Sequence, residues 1–260
     1  MGVIRRLEMI LLLDIGNTHT HTGLATSARV IKQANIPSGA WLQDDADKLV
    51  KGFTGKARID GVMFCSVVPH VTPVIRAWAQ SEGKLPPLEL NHKTVRGVGI
   101  DYPKPATIGA DRLANAVAAR HHFGAPAVVV DFGTAVTFDV VNRLGNYVGG
   151  IITPGLSAMT SYLHEKTALL PSIKLRETDA IIGKSTEEAM TIGAVHGYRG
   201  LIRELLMELK RELKVQRLPV IATGGYAKLI AAKVPEITTV EPLLTLEGLR
   251  LVWAANVTGH

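Results

Sequence analysis

The chain has 260 residues, 47% hydrophobic and 20% charged, enough to bury one large core or two of ordinary size. One cysteine, Cys65, excludes an internal disulfide and any multi-cysteine zinc site, and suits a reducing cytoplasm. The net charge of +6 is dispersed, and its densest run (Lys210, Arg211, Lys214 and Arg217) falls late in a helical pattern, which argues for a solvated helix end rather than a nucleic-acid surface.

At the N-terminus Arg5 and Arg6 precede an apolar stretch, but it runs only from Met9 to Leu13, too short for the core of a signal peptide. No segment approaches the ~18 apolar residues of a membrane helix. A cytoplasmic location with no membrane partner is the expectation. Ile10–Asp14, His19–Ala25 and Arg29–Asn35 read as three strands. Trp41–Phe53 has helical spacing, Gly61–Ser66 reads as a buried strand holding Cys65 as a structural thiol, and Thr72–Ser81 as a helix beginning at a proline. Leu88–Leu90 is a short strand, Gly97–Pro105 a turn-rich loop and Gly109–Phe123 an alanine-rich helix.

The order then recurs. Ala127–Asp131, Thr134–Val141 and Tyr147–Ile152 read as strands, with a hairpin turn at Asn142–Asn146 and a helix around Leu156–His164. Thr186–Leu213 is a long helical pattern with Gly193 and Gly197 as candidate break points. Pro219–Thr223 is a strand, Gly224 and Gly225 a tight turn, Tyr226–Lys233 a helix, Thr238–Glu241 a strand and Leu244–Asn256 a closing helix. This recurrence predicts a duplicated α/β architecture divided into residues 1–118 and 119–260.

Both halves open with one device. Asp14-Ile-Gly-Asn-Thr18 follows an apolar run, and so does Asp131-Phe-Gly-Thr-Ala135, about half the chain length later. Glycine lets backbone N–H groups approach a phosphate closely, and the Thr18 or Thr134 hydroxyl can donate to a phosphate oxygen. A carboxylate repels phosphate, so an aspartate at such a mouth implies an intervening cation. Mg²⁺ is typically held by one or two carboxylates together with waters and phosphate oxygens.

The paired loops resemble the superfamily of actin, the heat-shock ATPase chaperones, sugar kinases and acetate kinases. Gly99-Ile-Asp-Tyr102 through Pro105, Gly109-Ala-Asp-Arg112, Asp131 to Asp139, Gly149 to Gly155, Gly183-Lys-Ser-Thr186, Thr223-Gly-Gly225 and Leu243 to Leu249 narrow the resemblance to the type III pantothenate kinases. It implies an α/β fold of duplicated actin-like (ribonuclease H-like) lobes, each a mixed sheet with helices, with an ATP cleft between them. The implied reaction is transfer of the ATP γ-phosphoryl to pantothenate, the first step of coenzyme A synthesis. The resemblance further implies a homodimer, with dimer contacts in the C-terminal lobe, and a monovalent cation (K⁺ or NH₄⁺) besides Mg²⁺.

Matched position by position, Asp14, Ile15, Gly16, Asn17, Thr18, His19, Thr20 and His21 form the first ATP loop, with Asp14 meeting Mg²⁺ through the nucleotide. Thr134 is a second nucleotide contact and Asp131 the monovalent-cation ligand. Asp111 is the expected general base, which has to sit within hydrogen-bond reach of the attacking hydroxyl. Tyr102, Gly109, Ala110, Arg112 and Thr186 are the other expected substrate contacts. Thr186 could equally be the N-cap of its helix, although it lacks the full capping-box pattern. The histidines show no His-x-x-x-His or His-Glu-x-x-His helix pattern, which argues against catalytic zinc. Two alternatives stay open at this point: another small-molecule kinase or phosphohydrolase on the same fold, and a transcription accessory factor of the same family. No nucleic-acid-binding motif supports the latter.

Overall fold

The computed structural model describes residues 9–43 and 45–257. Arg5 and Arg6 lie outside the described residues, as does Asp44 within the expected helix Trp41–Phe53. In chain order the elements are β1 (Ile10–Ile15), β2 (His19–Ala25), β3 (Val30–Pro37), α1 (Ala46–Thr54), β4 (Gly61–Ser66), α2 (Thr72–Glu82), β5 (Leu88–Glu89), β6 (Gly99–Ile100) and α3 (Ala110–Phe123). There follow β7 (Ala127–Phe132), β8 (Ala135–Val141), β9 (Asn146–Pro154), α4 (Leu156–Lys166), α5 (Thr186–Glu212), β10 (Val220–Thr223), α6 (Ala227–Ala231), β11 (Thr239–Val240) and α7 (Leu244–Val257).

The chain divides into two compact units: residues up to His122 together with those from Leu243 onward, and Phe123–Pro242. In the first unit the strands lie in the order β3-β2-β1-β4-β5, with β1–β2 and β2–β3 antiparallel and β1–β4 and β4–β5 parallel. The second unit repeats this plan: its own strands run β9-β8-β7-β10-β11, antiparallel on the hairpin side of β7 and parallel on the other. The centre of each sheet is the continuous apolar run, Ile10–Leu13 in one and Ala127–Val130 in the other, and all eight side chains are buried. A strand covered on both faces has no solvent side to alternate with.

The closing helix α7 packs on β1, β2, β3 and β4. It therefore belongs to the first unit, whereas the sequence placed residues 119–260 together. Leu244, Leu246, Leu249, Val252 and Trp253 form its buried face. Gly61 of β4 and Gly248 of α7 make the fit possible, since a methyl group on either would overlap the Trp253 ring or the Ala114 backbone of α3. The stretch Trp41–Phe53 is also two pieces: a 3-10 turn at Ser38–Leu42 precedes α1. Within the second unit α5 continues through Gly193 and Gly197 unbroken. Its buried stripe of Met190, Ala194, Val195, Tyr198, Ile202 and Leu206 recurs every three or four residues, and that packing outweighs the glycine propensity cost.

Candidate active site

Ligands of open α/β sheets gather outside the carboxyl ends of the central strands. The Asp14 loop leaves β1 there, and the Asp131 loop leaves β7. In the first unit the Gly16 N–H donates to the His19 carbonyl at 3.0 Å, closing a tight turn. Behind it, Ser38 donates from Oγ to the Gly16 carbonyl at 2.6 Å and from its N–H to the Thr18 carbonyl at 3.1 Å. Trp41 Nε1 donates to the Thr20 hydroxyl at 3.1 Å, and that hydroxyl also meets Ser38 Oγ. The side chains of Asn17, Thr18 and His19 are exposed, whereas Ile15 and Thr20 are buried. Thr20 thus braces the loop from the core side. Ser38 and Trp41 are supports that the sequence reading missed, because their partners lie about twenty residues away across a hairpin.

Strand register decides what surrounds Asp14. The parallel pairing with β4 sets Cys65 beside it, and the antiparallel pairing with β2 sets His21 on its other side. The Cys65 thiol donates to Asp14 Oδ1 at 3.2 Å. His21 Nδ1 lies 2.7 Å from Asn35 Oδ1 on β3, which fixes the ring. Burial, and next the negative charge of Asp111, push the Asp14 carboxyl from 3.8 up to about 6; His21 and the thiol hydrogen bond pull it down. Burial drives the Cys65 thiol well above its ordinary range, with the Asp14 and Asp111 charges adding to the effect. It stays protonated at neutral pH and so remains a donor.

Asp111 sits in the first turn of α3, where a carboxylate is favoured by the helix dipole. Its Oδ1 accepts from the Arg112 N–H at 2.8 Å. Gly109 leaves room for that carboxylate, since a methyl group there would lie 2.6 Å from Oδ1. Ala110 is buried under the turn, Arg112 is partly buried, and Tyr102 stands exposed in the preceding loop. The structure thus brings Asp14, His21 and Asp111 into one electrostatic environment, with Gly109 as a spacer.

The second unit builds its loop differently. Gly224, in the turn after β10, has φ +87°, and a side chain there would sit 2.6 Å from Asp131 Oδ1 and 2.7 Å from the Phe132 carbonyl carbon. The turn closes directly over the carboxylate. Gly155 does the same for the Gly133–Thr134 backbone: a methyl group would overlap both carbonyls, and the Gly155 N–H donates to the Thr134 carbonyl at 3.2 Å. The motif glycines at 155 and 224 are thus neighbours of the residues they serve, a relation invisible in linear spacing. At the start of α5 the N-cap is Ser185, whose hydroxyl accepts from the Glu188 N–H at 3.2 Å, while Glu188 accepts from the Lys184 N–H at 2.6 Å. The capping pattern is Ser185-x-x-Glu188, one residue before Thr186, which the sequence offered as an alternative N-cap without a full capping box; Thr186 becomes the first helical residue. Among the described residues no cluster of three or more His, Cys, Asp or Glu side chains could hold a metal ion.

The family model of the type III pantothenate kinases matches residues 10–208. The chain belongs to the type III pantothenate kinase family. The type III pantothenate kinase of Akkermansia muciniphila is 46% identical over 248 residues, covering 95% of this chain and 99% of its own. That of Methylacidiphilum infernorum is 40% identical over 249 residues, covering 94% and 87%. Among solved structures, a conserved Baf family protein of Campylobacter jejuni superposes with a TM-score of 0.60 at 19% identity, covering 95% of this chain and 99% of that one. The inorganic polyphosphate/ATP-glucomannokinase of Arthrobacter sp. strain KM gives 0.51 at 14% identity, covering 97% and 100%. These two likenesses show the fold, an α/β protein of two mixed sheets in two lobes akin to sugar kinases. The match spans the loops at Asp14, Asp111, Asp131 and Thr186, the elements whose geometry is given above.

Proposed function

We propose that Asp111 is the general base of an ATP-dependent pantothenate kinase and that Asp14 faces the nucleotide's metal. As a member of its family the enzyme phosphorylates pantothenate in coenzyme A biosynthesis. The observation that carries the residue assignment is that Asp14, desolvated at the end of β1, also feels the negative charge of Asp111 at the start of α3. Such a pair suits a hard dication on one side and a proton acceptor on the other.

Phosphoryl transfer depends on alignment and charge neutralisation more than on covalent chemistry. Asp14 would hold Mg²⁺ together with the phosphate oxygens; when bound, that ion neutralises charge on the transferring group. The exposed Asn17, Thr18 and His19, and the backbone of Gly16, line the phosphate loop in this reading, while Ile15 and Thr20 set its shape from the core. His21 lends positive character next to Asp14. On the substrate side of this reading, Asp111 takes the proton from the pantothenate hydroxyl, and Arg112, Tyr102 and Thr186 orient the rest of the molecule, with Gly109 and Ala110 shaping the turn.

In the second unit Asp131 would hold the monovalent cation, K⁺ or NH₄⁺. The close approach of the Gly224 turn supports this: it surrounds the carboxylate with backbone that any side chain would displace. Thr134, held by Gly155, is the second nucleotide contact. A homodimer through the second unit is supported by the exposed apolar side chains Ile152, Tyr162, Leu169, Ile181 and Ile182. Among the described residues no helix is long and apolar enough to cross a membrane; we assign the enzyme to the cytoplasm.

The decisive experiment is Asp111→Asn. Removing a positioned base lowers kcat by about 10²- to 10⁴-fold, and ATP binding, followed by calorimetry, is retained. Full turnover by the variant would show that another group accepts the proton. Absence of pantothenate phosphorylation by the parent chain with Mg²⁺ and K⁺ present would overturn the substrate.

A further inference from the structure

At the far end of α3 from Asp111 lies a cavity of about 500 Å³, lined by Arg96, Gly97, Val117, Arg120, His121, Leu251, Ala254 and Ala255. The volume falls within the range of about 300–1,000 Å³ usual for small-molecule sites. All of its lining belongs to the first unit. About 13 Å of helix separates Arg120 from Asp111, nine residues at 1.5 Å each, so the cavity is distinct from the carboxylate site.

Its chemistry is two-sided. Val117, Leu251, Ala254 and Ala255, from α3 and α7, give an apolar bed. Gly97, at φ +92°, turns the backbone sharply enough for its carbonyl to accept from Arg120 Nη1 at 2.7 Å. Arg96 curls back so that Nη1 donates to the Val95 carbonyl at 2.8 Å and the Lys93 carbonyl at 3.0 Å. Among the described residues both guanidinium groups bond only to backbone carbonyls, and neither pairs with a carboxylate. Each keeps unused N–H donors from its planar fork. The nearby acid Glu247 is engaged elsewhere, by Arg250 and His122.

Basic residues at a helix C-terminus complement its dipole, and that accounts for Arg120 and His121 taken alone. It does not account for Arg96, which arrives from a loop, nor for an apolar bed left open between two helices. We propose that this cavity is a second ligand site, for a small amphiphilic anion. Its carboxylate or phosphate head is gripped by Arg96 and Arg120, with His121 beside them, and its hydrocarbon tail lies on Val117, Leu251 and Ala254. Guanidinium forks recognise both head groups in the same bidentate manner.

Isothermal titration of the full chain with octanoate and with octyl phosphate tests this and tells the two heads apart. Acetate and inorganic phosphate serve as head-only probes, and octyltrimethylammonium as a tail of opposite charge. The expected result is saturable one-site binding of one or both amphiphilic anions, at least about tenfold tighter than any control, one decade being about 1.4 kcal/mol, and weakening as salt rises. The double variant R96Q/R120Q loses that advantage. So does A254L, which keeps both guanidinium groups but fills the bed, and which carries the test should the double variant fail to fold. Neither variant changes turnover of pantothenate, because none of these residues belongs to the proposed reaction. Binding that is equal for all probes, or unchanged in both variants, would overturn the proposal.

Discussion

The most informative single residue is Asp14, because its carboxyl is held at about 6 largely by burial, with the Asp111 charge beside it. A carboxyl raised in the folded state favours folding while both states are protonated, and that advantage is lost as pH rises through the folded value. Above about pH 6 the native chain therefore carries an ionised Asp14 at a penalty of at most about 3 kcal/mol. Asp14→Asn is expected to raise the melting temperature at about pH 8, by a few degrees at the roughly 2–4 °C per kcal/mol of a chain this size. It leaves the melting temperature nearly unchanged at about pH 4 and abolishes kinase activity at both. Calorimetry at the two pH values checks the sign. Stabilisation that is equal at both would mean that charge is not the cause. Asp14 was legible because a strand, an acid and a glycine turn recur twice. Its neighbours were not. Cys65 read correctly as a buried thiol, but its bond to Asp14 depends on which strand lies parallel to β1, and no local pattern encodes that register.

Among the elements, the turn after β10 shows how a motif acquires meaning from packing. The pair Gly224-Gly225 reads as a tight turn from sequence, and it is one. What it closes over, Asp131, stands more than ninety residues earlier and is reached only through the parallel pairing of β7 with β10. Gly224→Ala combines a positive φ with overlap on a carboxylate oxygen, so destabilisation of about 2 kcal/mol or more is expected. If Asp131 holds the monovalent cation, the K⁺ concentration giving half-maximal activity rises as well. A K⁺ titration separates the two effects, because a purely structural loss lowers activity at every K⁺ concentration alike. The cap of α5 teaches the opposite lesson. Its pattern was present in the sequence at Ser185, but only Thr186 was weighed as a cap, and a single-residue frame decides which hydroxyl is tied to backbone.

At the scale of the molecule, the repeated strand order was legible from periodicity, since each half carries its own apolar run, hairpin and helix. The division was not. A helix of Leu, Val and Trp has no sequence mark saying which sheet it covers, and α7 covers the first. Its five large buried side chains contribute about 10 kcal/mol if each gives ~2 kcal/mol, comparable with the whole stability of a typical domain, about 5–15 kcal/mol. A chain ending at Pro242 is therefore expected to lose the first unit's cooperative unfolding transition, followed by hydrogen exchange, and to retain protection in β7, β8 and β10. Association is a separate matter. Leu169, Ile181 and Ile182 are 89%, 70% and 79% exposed, unusual for apolar side chains so near one another in sequence. Ile181→Glu combined with Ile182→Glu is expected to convert a dimer to a monomer in sedimentation equilibrium. A parent chain that is already monomeric would dispose of the dimer.

The return of α7 to the first sheet also sets a timetable for biosynthesis. The second unit is one continuous stretch and can fold as it leaves the ribosome. The first unit emerges earlier, yet the face around Gly23 and Gly61 stays without Leu246 and Trp253 until α7 is made. At about 5–20 residues per second, the intervening ~120 residues take roughly 6–24 s. For that interval the nascent chain exposes an uncovered apolar sheet, so the half translated first is the half completed last.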